Sequence, residues 1–169
     1  MKKILIVLTT ALLIVSCSVN RDKEQQKIEQ HEAALSSVDR LTANDETTEM
    51  LSLYRNYAKH FPDDSLAPVY LQRAADLSIA LGATDAAVSL LDSVISLYPG
   101  FEDIGGCWFL KGYAYETAEM FDSARTAYTY FVDNYPEHSL AADTRRMIDY
   151  LGMSPEEMLE AILAKAENN

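Results

Sequence analysis

The sequence predicts an all-α solenoid of helix-turn-helix units, on three observations. Pro62, Pro99 and Pro136 stand 37 and 37 residues apart. Four apolar columns keep the same register: Met50, Ala87 and Ala124; Tyr54, Leu91 and Tyr128; Tyr57, Val94 and Phe131; Phe61, Tyr98 and Tyr135. Within a unit these residues run i, i+4, i+7, i+11, which is one face of a helix. A fixed period of this length marks stacked supersecondary units that bury their faces against one another.

Each element follows from that register. The polar start of the repeat region blends into a first helix over Lys23 to Ala43. There Ile28, Leu35, Val38 and Leu41 lie near heptad spacing, so a coiled-coil seam competes with a first repeat helix. The repeat helix is favoured because Leu35, Val38 and Leu41 also fit the 37-residue register. Its partner, Asp45 to His60, must stop before Pro62, since a residue preceding proline is pushed out of the α region and proline cannot continue the ladder. The second pair is Leu66 to Leu81 with Asp85 to Leu97. Pro68 falls in a first turn, where its missing N–H would have no partner anyway. The third pair is Ile104 to Ala118 with Asp122 to Asn134, closed by Pro136. Leu140 to Leu151 follows, then a last helix opening Ser154-Pro155-Glu156-Glu157, a capping box expected to form a polar lid on the stack.

Trp108, Gly112, Tyr115, Ala124, Tyr128 and Pro136 resemble the tetratricopeptide repeat signature W-x2-L-G-x2-Y, A-x3-F, P. Lys111 departs in the leucine column, and Phe131 stands where the family usually has a small residue. The second unit keeps Ala87 and Pro99, with Leu71, Ala75, Ser78 and Leu91 in the other columns; the first is more degenerate. The resemblance spans roughly Lys23 to Gly152 and implies a right-handed helix-turn-helix solenoid of about three and a half repeats with a C-terminal capping helix. The period of 37 exceeds the family's 34. That longer joint, in "YPEHSLAA" and "FPDDSLAP", is similar to the repeats of bacterial envelope tetratricopeptide proteins: the lipoprotein subunit of the β-barrel assembly machinery and the coordinator associated with Tol–Pal. Only the repeat style carries over. Small residues at Ala75, Ala87, Gly112 and Ala124 are expected to let helices approach, with Trp108 and Tyr115 filling the space around the glycine. Trp108→Ala is accordingly expected to cost roughly 3–5 kcal/mol.

The amino terminus reads as a lipoprotein signal peptide over residues 1–16. Lys2-Lys3 precede an apolar run, Ile4 to Val15, too short to span a bilayer. "IVSC" resembles the lipobox at which such signals are cut, which implies lipidation of Cys17. Residues 17–27 are then a lipidated terminus and linker, and 28–169 the repeat domain. Cleavage leaves 169 − 16 = 153 residues; Lys+Arg falls from 14 to 12 against 26 acidic residues, a net charge of −14. Such a chain repels phosphate backbones, so nucleic acid is not an expected partner. Cys107 is left alone, without a disulfide partner. Ser18 after the cysteine favours the outer membrane facing the periplasm, with surface display as the alternative because acidic residues follow in "SVNRDKE".

The tetratricopeptide resemblance implies a concave wall built by the first helices. The residue after each packed position turns about 100° onto it. The row is Leu35, Asp39 and Thr42; Gln72, Asp76 and Ile79; Phe109, Tyr113 and Glu116; Arg146, Tyr150 and Met153. Arg146 is its only cation, so the row lacks the basic cluster with which chaperone-binding members hold a terminal carboxylate. The row is a candidate groove for an envelope protein or peptide segment, with Phe109, Tyr113 and Tyr150 as apolar anchors. The competing reading packs these aromatics against the last helix.

No enzyme is expected, and no cofactor or metal. His31, His60 and His138 are isolated, and His60 beside Asp63-Asp64 reads better as charge at a helix end than as a cation site. Cys107 has no neighbouring base and reads as a small buried thiol. The chain is expected to be a membrane-anchored scaffold for envelope proteins, with a self-assembling structural component as the alternative.

Overall fold

The computed structural model describes residues 19–35 and 43–167. The signal peptide, Cys17, and the row members Asp39 and Thr42 lie outside the described residues, as do Val38 and Leu41 of the possible seam. Among the described residues eight helices follow one another and there is no strand: α1 Arg21–Leu35, α2 Ala43–His60, α3 Leu66–Ala80, α4 Thr84–Leu97, α5 Ile104–Thr117, α6 Phe121–Asn134, α7 Ala141–Ile148 and α8 Pro155–Glu167. Each helix from α1 to α6 packs on the next, and α3 also touches α5. The result is a helical solenoid.

The sequence columns become burial layers. Met50, Ala87 and Ala124 are buried, as are Tyr54, Leu91 and Tyr128, and Tyr57, Val94 and Phe131. Phe61, Tyr98 and Tyr135 are half-buried at the helix ends, and the three prolines are exposed. The core is a chain of local clusters. Ile28, Met50, Tyr57 and Tyr70 join α1, α2 and α3. Ala75, Leu91, Val94 and Cys107 join α3, α4 and α5. Phe131, Val132 and Ala141 join α6 and α7. Nearest-neighbour burial of this kind is what a solenoid uses in place of one central core.

The three proline joints share one hydrogen-bond pattern. The N–H groups of Phe61, Tyr98 and Tyr135 donate to Tyr57, Val94 and Phe131, each at 2.9 Å. Those aromatics then accept from Asp64, Phe101 and His138, which accept in turn from Ala67, Ile104 and Ala141. Two linked turns thus carry the chain past the proline, and they account for the longer period.

The turns inside units two and three also correspond. Gly82 at φ 72° and Glu119 at φ 58° stand in the left-handed region 37 residues apart. Ala83 donates to Ser78 at 2.8 Å and Met120 to Tyr115 at 2.9 Å, the six-residue closure of a Schellman-type cap. A side chain in this region carries about 1–2 kcal/mol of strain. Glu119→Gly is therefore expected to raise stability by about 0.5–1 kcal/mol after glycine's entropy is set against it. Urea denaturation checks this, and a lower midpoint would contradict it.

Three expectations are corrected. Tyr128, and not Trp108, fills the space at Gly112: a Cβ there would lie 2.4 Å from its ring. Trp108 is half-buried at the edge, 4.0 Å from the ring of Tyr130 and 5.2 Å from Lys111 Nζ, so its truncation costs less than a core aromatic's. Helix α7 ends at Ile148 instead of Leu151. The i→i+3 turns at Tyr150 and Leu151 and the positive φ of Gly152 stop it, while Arg125 donates to the carbonyls of Ile148 and Leu151. Helix α8 starts with the expected capping box: Ser154 N donates to Glu157 Oε2 at 2.8 Å, and Glu157 N to Ser154 Oγ at 3.2 Å. It sits at the C-terminal end, but no Cα of it comes within 8 Å of another helix, and Leu159, Ile162 and Leu163 are exposed. A polar lid would hide such residues.

Candidate functional site

The first helices and the turns after them scatter the predicted row across three settings. Ile79 is buried with Ala87 and Ala114, and Phe109 packs inward, 5.6 Å from Tyr128 and 5.8 Å from Phe131 between ring centroids. Gln72 donates to Asp103 Oδ2 at 2.6 Å, which ties α3 to the loop before α5. Asp76 and Tyr113 are exposed. Leu35 packs at the edge of the first cluster. Phe109 of α5 packs on α6 and not on the last helix, whereas Tyr150 stands beside Lys165 of that helix.

Glu116, Arg146, Tyr150 and Met153 come together around a hollow of about 600 Å³ at the C-terminal end. Helix α5 brings Glu116 to it, and the early end of α7 turns Tyr150 and Met153 toward it. Phe121, Met147 and Met158 complete its apolar wall. Register reasoning missed these three. Phe121 stands in the column of Thr84, where an exposed aromatic is out of place, and the signal for Met147 and Met158 was Gly152 with Pro155, which cut the fourth unit short.

Polar groups at the hollow are mutually engaged. Tyr128 donates its hydroxyl to Glu116 Oε2 at 2.6 Å, holding that carboxylate at the rim. Arg146 pairs with Asp143 one turn back. Lys165 of α8 reaches Asp149 at 3.0 Å and stands 5.9 Å from the Tyr150 ring, and Asp149 pushes its ammonium pKa up. Exposed pairs of this kind are weak tethers. The arrangement offers aromatic and thioether surface with a charged edge. Among the described residues no group of three His, Cys, Asp or Glu side chains could hold a metal ion, and no helix is long and apolar enough to cross a membrane.

Cys107 is fully buried, and burial, with the charge of Asp103 adding, pushes its thiol up to about 12. Burial likewise raises the hydroxyl of Tyr57 to about 12 and pushes Tyr54 and Tyr128 further, with Glu32 and Glu116 contributing by hydrogen bonds. The sign follows from linkage. Above the ordinary values of 9.0 for cysteine and 10.0 for tyrosine the unfolded chain loses protons that the folded chain keeps. Stability is therefore full below about pH 9 and falls as pH rises toward 12. Urea midpoints measured from pH 8 to pH 11 should drop steadily, and Cys107 should react with a thiol reagent only on unfolding. A flat profile would contradict the burial of these groups.

Among protein families, the tetratricopeptide repeat model matches residues 70–100 and 107–138. The two stretches take in most of α3 with α4, and most of α5 with α6, each with the proline joint that follows. No curated protein and no solved structure matches the chain. The matched segments are similar to tetratricopeptide repeats, which typically serve as protein-interaction modules.

Proposed function

We propose that the protein is a lipid-anchored scaffold of the bacterial cell envelope, attached through Cys17, that holds a protein or peptide segment at the C-terminal hollow. The observation that carries the reading is the convergence of Glu116, Arg146 and Tyr150 on one apolar recess of a tetratricopeptide-type stack. Tyr113 is the exposed aromatic of the predicted row on α5. The anchor rests on the basic start, the apolar run and Ser16-Cys17, and the envelope setting on the anchor together with the long proline joints. The acidic charge argues against nucleic acid as a partner. The exposed apolar side of α8 favours a second reading, self-assembly.

Photo-crosslinking in whole cells separates the two. A crosslinker placed at Tyr150 or Tyr113 should capture one partner, and a palmitate analogue should label wild type but not Cys17→Ala. Capture of only a second copy of this chain supports self-assembly, and no adduct at either position overturns the scaffold reading.

A further inference from the structure

We propose that the hollow and the exposed side of α8 form one face that binds a basic amphipathic helix of a partner protein. The inference rests on reading the hollow as a partner site and assigns the chemistry of what enters it. Three of the chain's six methionines, Met147, Met153 and Met158, line the hollow, all of them exposed. Thioether side chains are flexible and polarizable, so they repack around varied apolar surfaces. Met158 also begins the stripe that continues through Leu159, Ile162 and Leu163, so the recess and the stripe are continuous. Exposure of this much apolar surface on a helix whose Cα atoms come within 8 Å of no other described helix marks a face awaiting cover.

Charge selects the occupant. Glu156, Glu157 and Glu160 stand on α8 against Lys165, which already pairs with Asp149. At the hollow, Glu116 and Asp143 outnumber Arg146, and Arg125 is spent on the carbonyls at the end of α7. With a net charge of −12, the chain attracts a cationic ligand and repels a second copy of itself, which would set these same carboxylates against one another. A helical partner fits because the described residues present no sheet edge for an extended strand to pair with, whereas a helix satisfies its own backbone.

The test uses the full-length protein and a fluorescent Leu/Lys amphipathic peptide about five helical turns long. Two controls accompany it: a Leu/Glu peptide of the same pattern, and a Ser/Lys peptide without the leucines. The Leu/Lys peptide should bind, weaken as salt is raised, and outcompete both controls. Met147→Ser with Met158→Ser, and separately Leu159→Ser with Ile162→Ser, should each weaken binding by about tenfold or more while leaving the melting temperature unchanged, because these side chains are exposed. Equal binding of the Leu/Glu peptide, or equal binding by both variants, overturns the proposal. A doubled mass in sedimentation that the methionine variant abolishes overturns it in favour of a second copy. A partner captured at Tyr150 that carries no basic helix overturns this inference alone, whereas failure to capture any partner overturns the scaffold reading.

Discussion

Gly112→Ala is expected to lower stability, although alanine is the better helix former by about 1 kcal/mol. Gly112 lies inside α5, and a Cβ built there would stand 2.4, 2.5 and 2.8 Å from atoms of the Tyr128 ring. That ring cannot swing aside cheaply. Tyr128 is fully buried, its hydroxyl is held by Glu116 at 2.6 Å, and Phe109 packs against it. Overpacking of this kind costs about 1–3 kcal/mol or more, which exceeds the gain in propensity. A fall in melting temperature of several degrees is expected for a chain of this size. Gly100→Ala is the control, because nothing lies within 4 Å of a Cβ there. Adding Tyr128→Leu should recover part of the Gly112→Ala loss. A Gly112→Ala protein that melts at or above wild type would show that the α5–α6 contact is looser than described.

Phe131→Ala should have the larger effect. Phe131 has no exposed surface and joins α5, α6 and the third joint, with ring centroids 5.8 Å from Phe109, 6.4 Å from Tyr135 and 5.1 Å from the His138 ring. Truncating a buried phenylalanine costs about 3–5 kcal/mol through lost transfer energy and the cavity left behind. The stack adds a spatial signature. Because its clusters are local, amide protection should fall in α5 to α7 and persist in α1 and α2, which share Ile28, Met50 and Tyr57. Uniform loss of protection would mean that the units fold as one block.

Much of the fold was legible because the 37-residue register repeats every decision three times. Phe61, Tyr98 and Tyr135 close three helices with the same bond, and each is followed by a proline that forbids continuation. The helix starts and ends of α3 to α6 consequently fall within one residue of expectation. Phe131, in a column where the repeat signature calls for a small residue, is buried along with Tyr57 and Val94 in the same register, so the column mattered more than the consensus. The groove row was less legible. A step of 100° places a residue beside the packed face of its own helix, but whether it stays open depends on what the neighbouring helix puts against it. Phe109 met Tyr128 and Phe131, and Ile79 met Ala87 and Ala114, so both turned inward. Tyr113, one turn beyond Phe109, met no such cover.

The sequence by itself determined the helix pairs, their proline joints and the buried columns, since apolar spacing and backbone-blocking residues act within one unit and recur in the next. Only the tertiary structure decided which edge residues remain exposed and where the hollow lies. Those outcomes arise where units meet and where the pattern stops. Gly152 and Pro155 end the fourth unit before its second helix can pack, and Met147, Met153 and Met158 line a hollow that, among the described residues, no further helix covers.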